Sequence, residues 1–473
     1  MKGERFLLYD IKNFLSAHIK KAAVDYCIPK LWILRAFDFQ TKSDVVLSGK
    51  DLTGLNDYLE TADGYRVFVN PYGYYSEIMD LIIKQQEKTG PKKRSRDWLR
   101  NSSMYLMDLK DALRYNHKGY GAVNRPAGKY REDGTFLKAI AVLPYLKSTG
   151  IDTICLAGLS ENIADYSDQI LSGFRPDEQF QGFLEAVDSL GFNLMIEMDL
   201  MTFSESDFWD FLEKRFITFS EVYSCDGVLL NLNRQLDLTP IARIIGEIKG
   251  FNQFFSFACK LEELKESKSF KRLGFQAQFP KQHYLREEDA VSLFKNKMEE
   301  QHIPVILEQK NVDDEEEANR KKMNFLLSVF SPYTIPCIHQ GYEFGNPERE
   351  GDWDYYEDEF RAFVQKILGF KEKYRKWAVQ ENLIENALTD TKGVLGYVYR
   401  SIENDSALVV LANTDGRRER WITLDIESIG MLHTSRVKRK LNDYREVRQY
   451  LETEECYIHV RLAPYEATLI TLR

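Results

Sequence analysis

Eight short apolar runs, most followed by a stretch of helical spacing, limit this chain more than any other feature. They read "SMYLMDL", "IDTICLAGL", "FNLMIEMDL", "CDGVLLNL", "FNQFFSFAC", "RLGFQAQF", "IPVILEQ" and "TIPCIHQG". Runs apolar on both faces, alternating with amphipathic segments, predict parallel strands buried beneath helical crossovers. "GTFLKAIAVLPYLKSTG" predicts a helix closed by Gly150. "PDEQFQGFLEAVDSLG" predicts another, with acids near its start and Gly191 after its end. Eight such units fit a closed (β/α)8 TIM-type barrel. An open doubly wound sheet is the alternative, weakened because no Gly-rich phosphate turn follows the first strand.

The flanks follow other rules. Beyond "FRAFVQKILGFKEKYRKW" come "GVLGYVYRS", "ALVVLANT", "RRERWITLDI", "CYIHVRLAP" and "EATLITLR", short strands divided by turns. They predict a C-terminal antiparallel β-sandwich. Before the barrel, "IPKLWILRAFDF" and "GYRVFVNPYGYYSEI" look strand-like, and "YSEIMDLIIKQQEK" has helical spacing. The basic stretch "TGPKKRSRDWLRNSS" reads as a solvated linker, with a phosphate or partner site as the alternative. The expected division is residues 1–100 as an N-terminal extension or small domain of unclear fold, 101–384 as the barrel and 385–473 as the sandwich.

Composition narrows the function. With 64 Lys and Arg against 73 Asp and Glu, the net charge is −9, which argues against nucleic-acid and anionic-membrane partners. No apolar run is long enough to span a bilayer, and the start lacks a signal-peptide core. The six cysteines show no CxxC pairing; several sit in apolar runs, as buried free thiols do. A cytoplasmic protein without cofactor or metal is the expectation.

Several stretches together resemble the α-amylase family of glycoside hydrolases. "FLKAIAVLPYLKSTGIDTICLAGL" is similar to the family's first helix and second strand, and "FQGFLEAVDSLGFNLMIEMDL" to the approach to its third strand. "CDGVLLNLNR" resembles the fourth-strand D-G-F-R-x-D, and "IPVILEQKN" falls where F-x-x-N-H-D is usual. "TIPCIHQGYEFG" resembles the eighth-strand segment, and "LAPYEATLITL" the closing sandwich strand. The resemblance covers residues 100 to 473. It implies a barrel, a sandwich and chemistry on α-glucans.

The family's mechanism requires a nucleophilic carboxylate and a second carboxylic acid that protonates the leaving oxygen. By the resemblance, the fourth-strand Arg and Asp map onto Leu229 and Asn231. The seventh-strand triplet maps onto Gln309, Lys310 and Asn311, and the third-strand Asp onto Glu197, with Met201 and Thr202 after it. Leucine carries no charge, and an amide is a poor nucleophile. The fifth strand shows no acid in place. Displaced carboxylates that could substitute are Glu197, Asp199, Glu262 and Glu263. Each also has a plainer reading as a structural acid or solvated helix start. Asn231, whose amide both donates and accepts, is a candidate sugar contact. Trp353, Tyr355 and Tyr356, in a loop after the eighth strand, are further candidates because aromatic faces stack on sugar rings. His339 reads as a core histidine. The direct connection "DLMTFSESDFW" after the third strand omits a loop domain common in the family and predicts an open groove.

Three readings follow. The leading one is a catalytically degenerate α-amylase-like protein that binds an α-glucan or oligosaccharide, or a protein partner or second copy of itself. The second is an active hydrolase or transglycosylase using the displaced acids. The third is a scaffolding or regulatory subunit with no sugar.

Overall fold

The computed structural model describes residues 7–21, 26–29, 59–60, 66–89, 92, 95–113, 133–159, 162–200, 208–232, 237–261, 267–280, 305–309, 318–339, 342–344, 358–384, 393–401, 406–431, 437–439, 451–453 and 457–473. Two compact units divide the chain. The first takes Met1–Lys260, Arg272–Gln276 and Cys337–Arg361; the second takes Leu261–Lys271, Ala277–Pro336 and Ala362–Arg473.

In chain order, the first unit opens with α1 (Leu7–His18), β1 (Tyr26–Pro29), β2 (Leu59–Glu60), β3 (Arg66–Val69) and α2 (Pro71–Thr89). Then come β4 (Met104–Asp108), the single turn α3 (Leu109–Ala112), α4 (Phe136–Thr149), β5 (Thr153–Ala157), α5 (Pro176–Ser189) and β6 (Asn193–Leu200). It continues with α6 (Phe208–Ile217), β7 (Gly227–Leu232), α7 (Thr239–Phe251) and β8 (Ser256–Leu261). The chain then runs through α8 (Ser267–Arg272), β9 (Ala277–Pro280), β10 (Val305–Gln309), α9 (Ala318–Phe330), β11 (Thr334–His339) and α10 (Asp358–Lys373), of which β9, β10 and α9 belong to the second unit.

Strands β4 to β11 close into a barrel in the order β10-β11-β4-β5-β6-β7-β8-β9. All eight apolar runs therefore became barrel strands, and the open-sheet alternative fails. The caps formed as the sequence requires. Thr135 accepts the Lys138 N–H at 3.2 Å to start α4, and Gly150 ends it at φ 99°. Pro176 opens α5, with Glu178 accepting the Arg175 N–H at 2.8 Å.

Register assigns the two faces of the sheet. Glu197 lies beside Leu229 and Asp199 beside Asn231, while Leu229 lies beside Ala258. The alternate residue Phe257 packs edge-on against Phe216 of α6, ring centroids 5.3 Å apart. Side chains alternate along a strand. Phe257 thus marks the helix-facing side, and Glu197, Asp199, Leu229, Asn231 and Lys260 share the inner side.

The N-terminal segment corrects two expectations. The run "GYRVFVNPYGYYSEI" is strand only over β3 and turns helical at Pro71. Asn70 caps that helix, its Oδ1 accepting the Tyr72 and Gly73 N–H groups at 3.1 and 3.3 Å, and Pro71 follows at the favoured first position. β3 pairs with β1 and β2 in a small antiparallel sheet. Helix α1 buries Leu8, Ile11 and Leu15, and the Leu8 N–H reaches Glu185 of α5 at 3.0 Å.

The basic stretch is docked at Lys92, Trp98 and Leu99, while Ser95, Arg96, Asp97 and Arg100 stay exposed. Trp98 and Leu99 are buried, and the Trp98 indole N–H donates to the Phe254 carbonyl at 2.9 Å. Lys92 Nζ meets Asp226 Oδ2 at 2.6 Å, the side chains 10% and 5% exposed. The run's polarity hid one indole and one lysine that both have partners more than a hundred residues away.

In the second unit, β12 (Val394–Ser401), β13 (Ser406–Asn413), β18 (Ala467–Leu472) and β15 (Val437–Arg439) form one antiparallel sheet; β14 (Arg420–Asp425), β17 (Tyr457–Leu462) and β16 (Leu451–Thr453) form another. Their inner faces bury Val409, Leu411, Ile422, Leu424, Ile458 and Ile470 in one core, the layered packing of a β-sandwich. β15 and β16 went unread because three residues carry too little alternation. The Tyr399 hydroxyl donates to the Phe330 carbonyl at the end of α9.

Candidate functional site

In barrels of this kind, chemistry gathers where the strands end, and here β6, β7 and β8 bring together four polar side chains. Extending the β7–β8 register by one residue sets Lys260 level with Asn231. Lys260 Nζ lies 2.5 Å from Glu197 Oε1, and each side chain is 12% exposed. The two residues sit on strands flanking β7, so the lysine reaches across a gap of about two strand spacings, near 9.6 Å. Between them stands Leu229, fully buried. Leu229 carries no charge, and Lys260 brings one from the next strand.

Asn231 Nδ2 donates to Asp199 Oδ1 at 3.0 Å. The remaining oxygens are the unusual part. Glu197 Oε2 and Asn231 Oδ1 are both buried, and neither has a hydrogen-bond partner. A buried acceptor left unmade costs about 1–3 kcal/mol, and two neighbouring ones on the inner face are suited to an incoming hydroxyl or water.

Retaining glycoside hydrolysis needs two carboxyl groups about 5–5.5 Å apart on either side of the scissile bond. Among the described residues, Glu197 and Asp199 leave one strand two residues apart on the same face, Glu197 paired with a lysine and Asp199 bonded to an amide.

Of the residues named from sequence, the structure brings together Glu197, Asp199, Leu229 and Asn231. His339 is half-buried on β11, level with Leu106. Gln309 ends β10, its side chain outside the described residues. Lys310, Asn311, Glu262, Glu263, Met201, Thr202, Trp353, Tyr355 and Tyr356 also lie outside them. Lys260 was missed. Its signal was present in "SFACKL", where Ser256, Ala258 and Lys260 share a parity and only the last is charged. Among the described residues no group of three His, Cys, Asp or Glu could hold a metal ion, and no helix is long and apolar enough to cross a membrane. Cys155, Cys225, Cys259 and Cys337 are buried free thiols.

No family model matches the sequence, and no curated protein does. Solved structures do match. An Anoxybacillus α-amylase, described as giving insight into a new glycosyl hydrolase subclass, is similar with a TM-score of 0.57 at 12% identity, covering 80% of this chain and 99% of that one. The α-amylase of Geobacillus thermoleovorans, complexed with acarbose, has a TM-score of 0.60 at 11% identity, covering 79% and 99%. A Group B Streptococcus pullulanase has a TM-score of 0.59 at 11% identity, covering 82% and 73%. At such identities the likeness is one of architecture, and it settles that question: this chain has the α-amylase fold, an eight-stranded barrel with a C-terminal β-sandwich.

Proposed function

We propose that this chain serves α-glucan metabolism by binding an oligosaccharide at the mouth of its barrel without cleaving it by the retaining mechanism. One observation carries the reading: Glu197 Oε2 and Asn231 Oδ1 are buried acceptors without partners, the other oxygen of Glu197 being already matched by Lys260. Sugar hydroxyls are donors of the right kind, and displacing loosely held water from such a site favours binding. The solved neighbours include an enzyme in complex with maltose and a variant in complex with maltotriose, which sets α-glucans as the first ligands to try.

Asn231 has no anionic oxygen to attack an anomeric carbon, and a catalytic pair missing one member loses most of its rate, because such groups act as a unit. We read residues 101–384 as the ligand-binding barrel domain and 385–473 as the sandwich domain. We place the protein in the cytoplasm, where the buried free thiols stay reduced.

The experiment incubates the purified chain with maltoheptaose, glycogen and an aryl α-glucoside, counts reducing ends and aryl alcohol, and measures binding by calorimetry. Saturable maltoheptaose binding with product at the buffer level supports the proposal. Turnover that disappears in Glu197→Gln would establish the displaced-acid enzyme instead. Neither binding nor turnover would leave a scaffolding role.

A further inference from the structure

A second cavity lies on the opposite side of β6. It is an open cleft of about 120 Å³ between that strand and the helices beside it. Ile196, Met198 and Leu200, the helix-facing residues of β6, form its floor, and Phe180 of α5 stands on one wall. Glu197 and Asp199 contribute the strand itself, their carboxylates being turned to Lys260 and Asn231 on the inner side.

The other wall is a stripe from α6: Phe211, Arg215, Phe219 and Tyr223, each four residues from the last. In a regular α-helix such a stripe drifts by about 40° per step, because 3.6 residues make a turn. Here the drift is offset. Thr218–Val222 winds as a π-helix, and the Tyr223 N–H reaches the Thr218 carbonyl, five residues back, at 3.0 Å. Ser224 follows at φ 50°, a left-handed conformation that is uncommon outside glycine. The wider turn keeps Phe219 and Tyr223 on the cleft, and π-turns recur at functional sites.

Among the described residues, Arg215 is the only cation on this lining. Its guanidinium lies 5.6 Å from the Phe211 ring centroid and 6.0 Å from that of Phe219. No carboxylate among the described residues pairs with it. Phe211 remains 39% exposed, a large ring at the rim. A cation–π contact is worth about 0.5–1 kcal/mol at an exposed site; it steadies the guanidinium but leaves its forked donors free for an anion.

We infer that this cleft binds a small aromatic carboxylate, its ring among Phe180, Phe219 and Tyr223 and its carboxylate on Arg215. The chemistry follows from the walls: a mostly apolar, aromatic cavity with one convergent charge selects an amphipathic anion. The site is separate from the barrel mouth and does not depend on the sugar reading.

The test titrates the full chain with indole-3-acetate and with its neutral amide, following binding by calorimetry, in wild type, Arg215→Met and Arg215→Lys. Wild type should bind the acid at least tenfold more tightly than the amide. Arg215→Met should bind the two alike, Arg215→Lys should restore part of the preference, and excess maltoheptaose should change none of this. Equal wild-type affinity for acid and amide, no binding of the acid at millimolar concentration, or a preference that survives Arg215→Met would overturn the inference. The wild-type comparison stands even if a variant fails to fold.

Discussion

The two ends of strand β7 differ in how completely their polar groups are matched. Just before its first residue, Asp226 is buried and doubly engaged through one oxygen: Oδ2 takes Lys92 at 2.6 Å and the Leu194 N–H at 2.8 Å. At the other end, Asn231 bonds Asp199 through its nitrogen and leaves its buried oxygen unmatched. Five residues apart, one end of the strand is tied down and the other left open. Barrels divide labour in this way, with stability at the N-terminal face and ligands at the C-terminal face.

The largest expected effect breaks the tied end. Lys92→Met leaves Asp226 buried without its cation, a loss of about 3–5 kcal/mol. Urea unfolding should show the midpoint fall while maltoheptaose affinity of the folded chain stays within twofold. A midpoint unchanged from wild type would mean that Asp226 is satisfied by its backbone partner alone.

Next is the open end. Asn231→Leu replaces both amide atoms with carbon at a position already flanked by Leu229. Maltoheptaose affinity should fall at least tenfold, about 1.4 kcal/mol, with the thermal midpoint little altered. A large loss of stability with binding intact would reverse the roles assigned to the two ends.

A smaller effect refines the tied end. Trp98→Phe keeps the buried ring but removes the donor to the Phe254 carbonyl, worth about 1 kcal/mol. The check is again the urea midpoint, and no shift would mean that packing alone docks this segment.

The smallest effect is pH-dependent. Burial holds the Lys249 ammonium of α7 at a pKa of about 8, below its ordinary value of about 10.4. Between those values the unfolded chain binds the extra proton, so stability should rise as pH climbs from about 8 towards 10. Lys249→Met should flatten that slope, as read from urea midpoints across the range. A slope identical in wild type and variant would assign it to other groups.

How much of this was readable from sequence depends on the range of the interaction. The barrel strands were legible because burial on both faces leaves an apolar run whatever the partner strand. Helices α4 and α5 were legible because their caps lie within a few residues of their cores. The start of α2 was misread, since Tyr72, Tyr74 and Tyr75 suit a strand by composition, while the decisive signal was Asn70 followed by Pro71. Lys92 with Asp226, and Lys260 with Glu197, were illegible as pairs. They are 134 and 63 residues apart, and only the folded chain brings them together. The mouth was therefore half read: the uncharged Leu229 was legible on its strand, and the Lys260 charge brought from β8 was not.

The central claim is that the open end of β7 receives an α-glucan which the tied end has no part in holding. A calorimetric titration of maltoheptaose into wild type and Asn231→Leu, with reducing ends counted in each recovered sample, tests it most directly. The account predicts saturable heat in wild type, at least tenfold weaker binding in the variant, and no new reducing ends in either. Equal binding by the two proteins, or reducing ends accumulating in the wild-type sample, would contradict it.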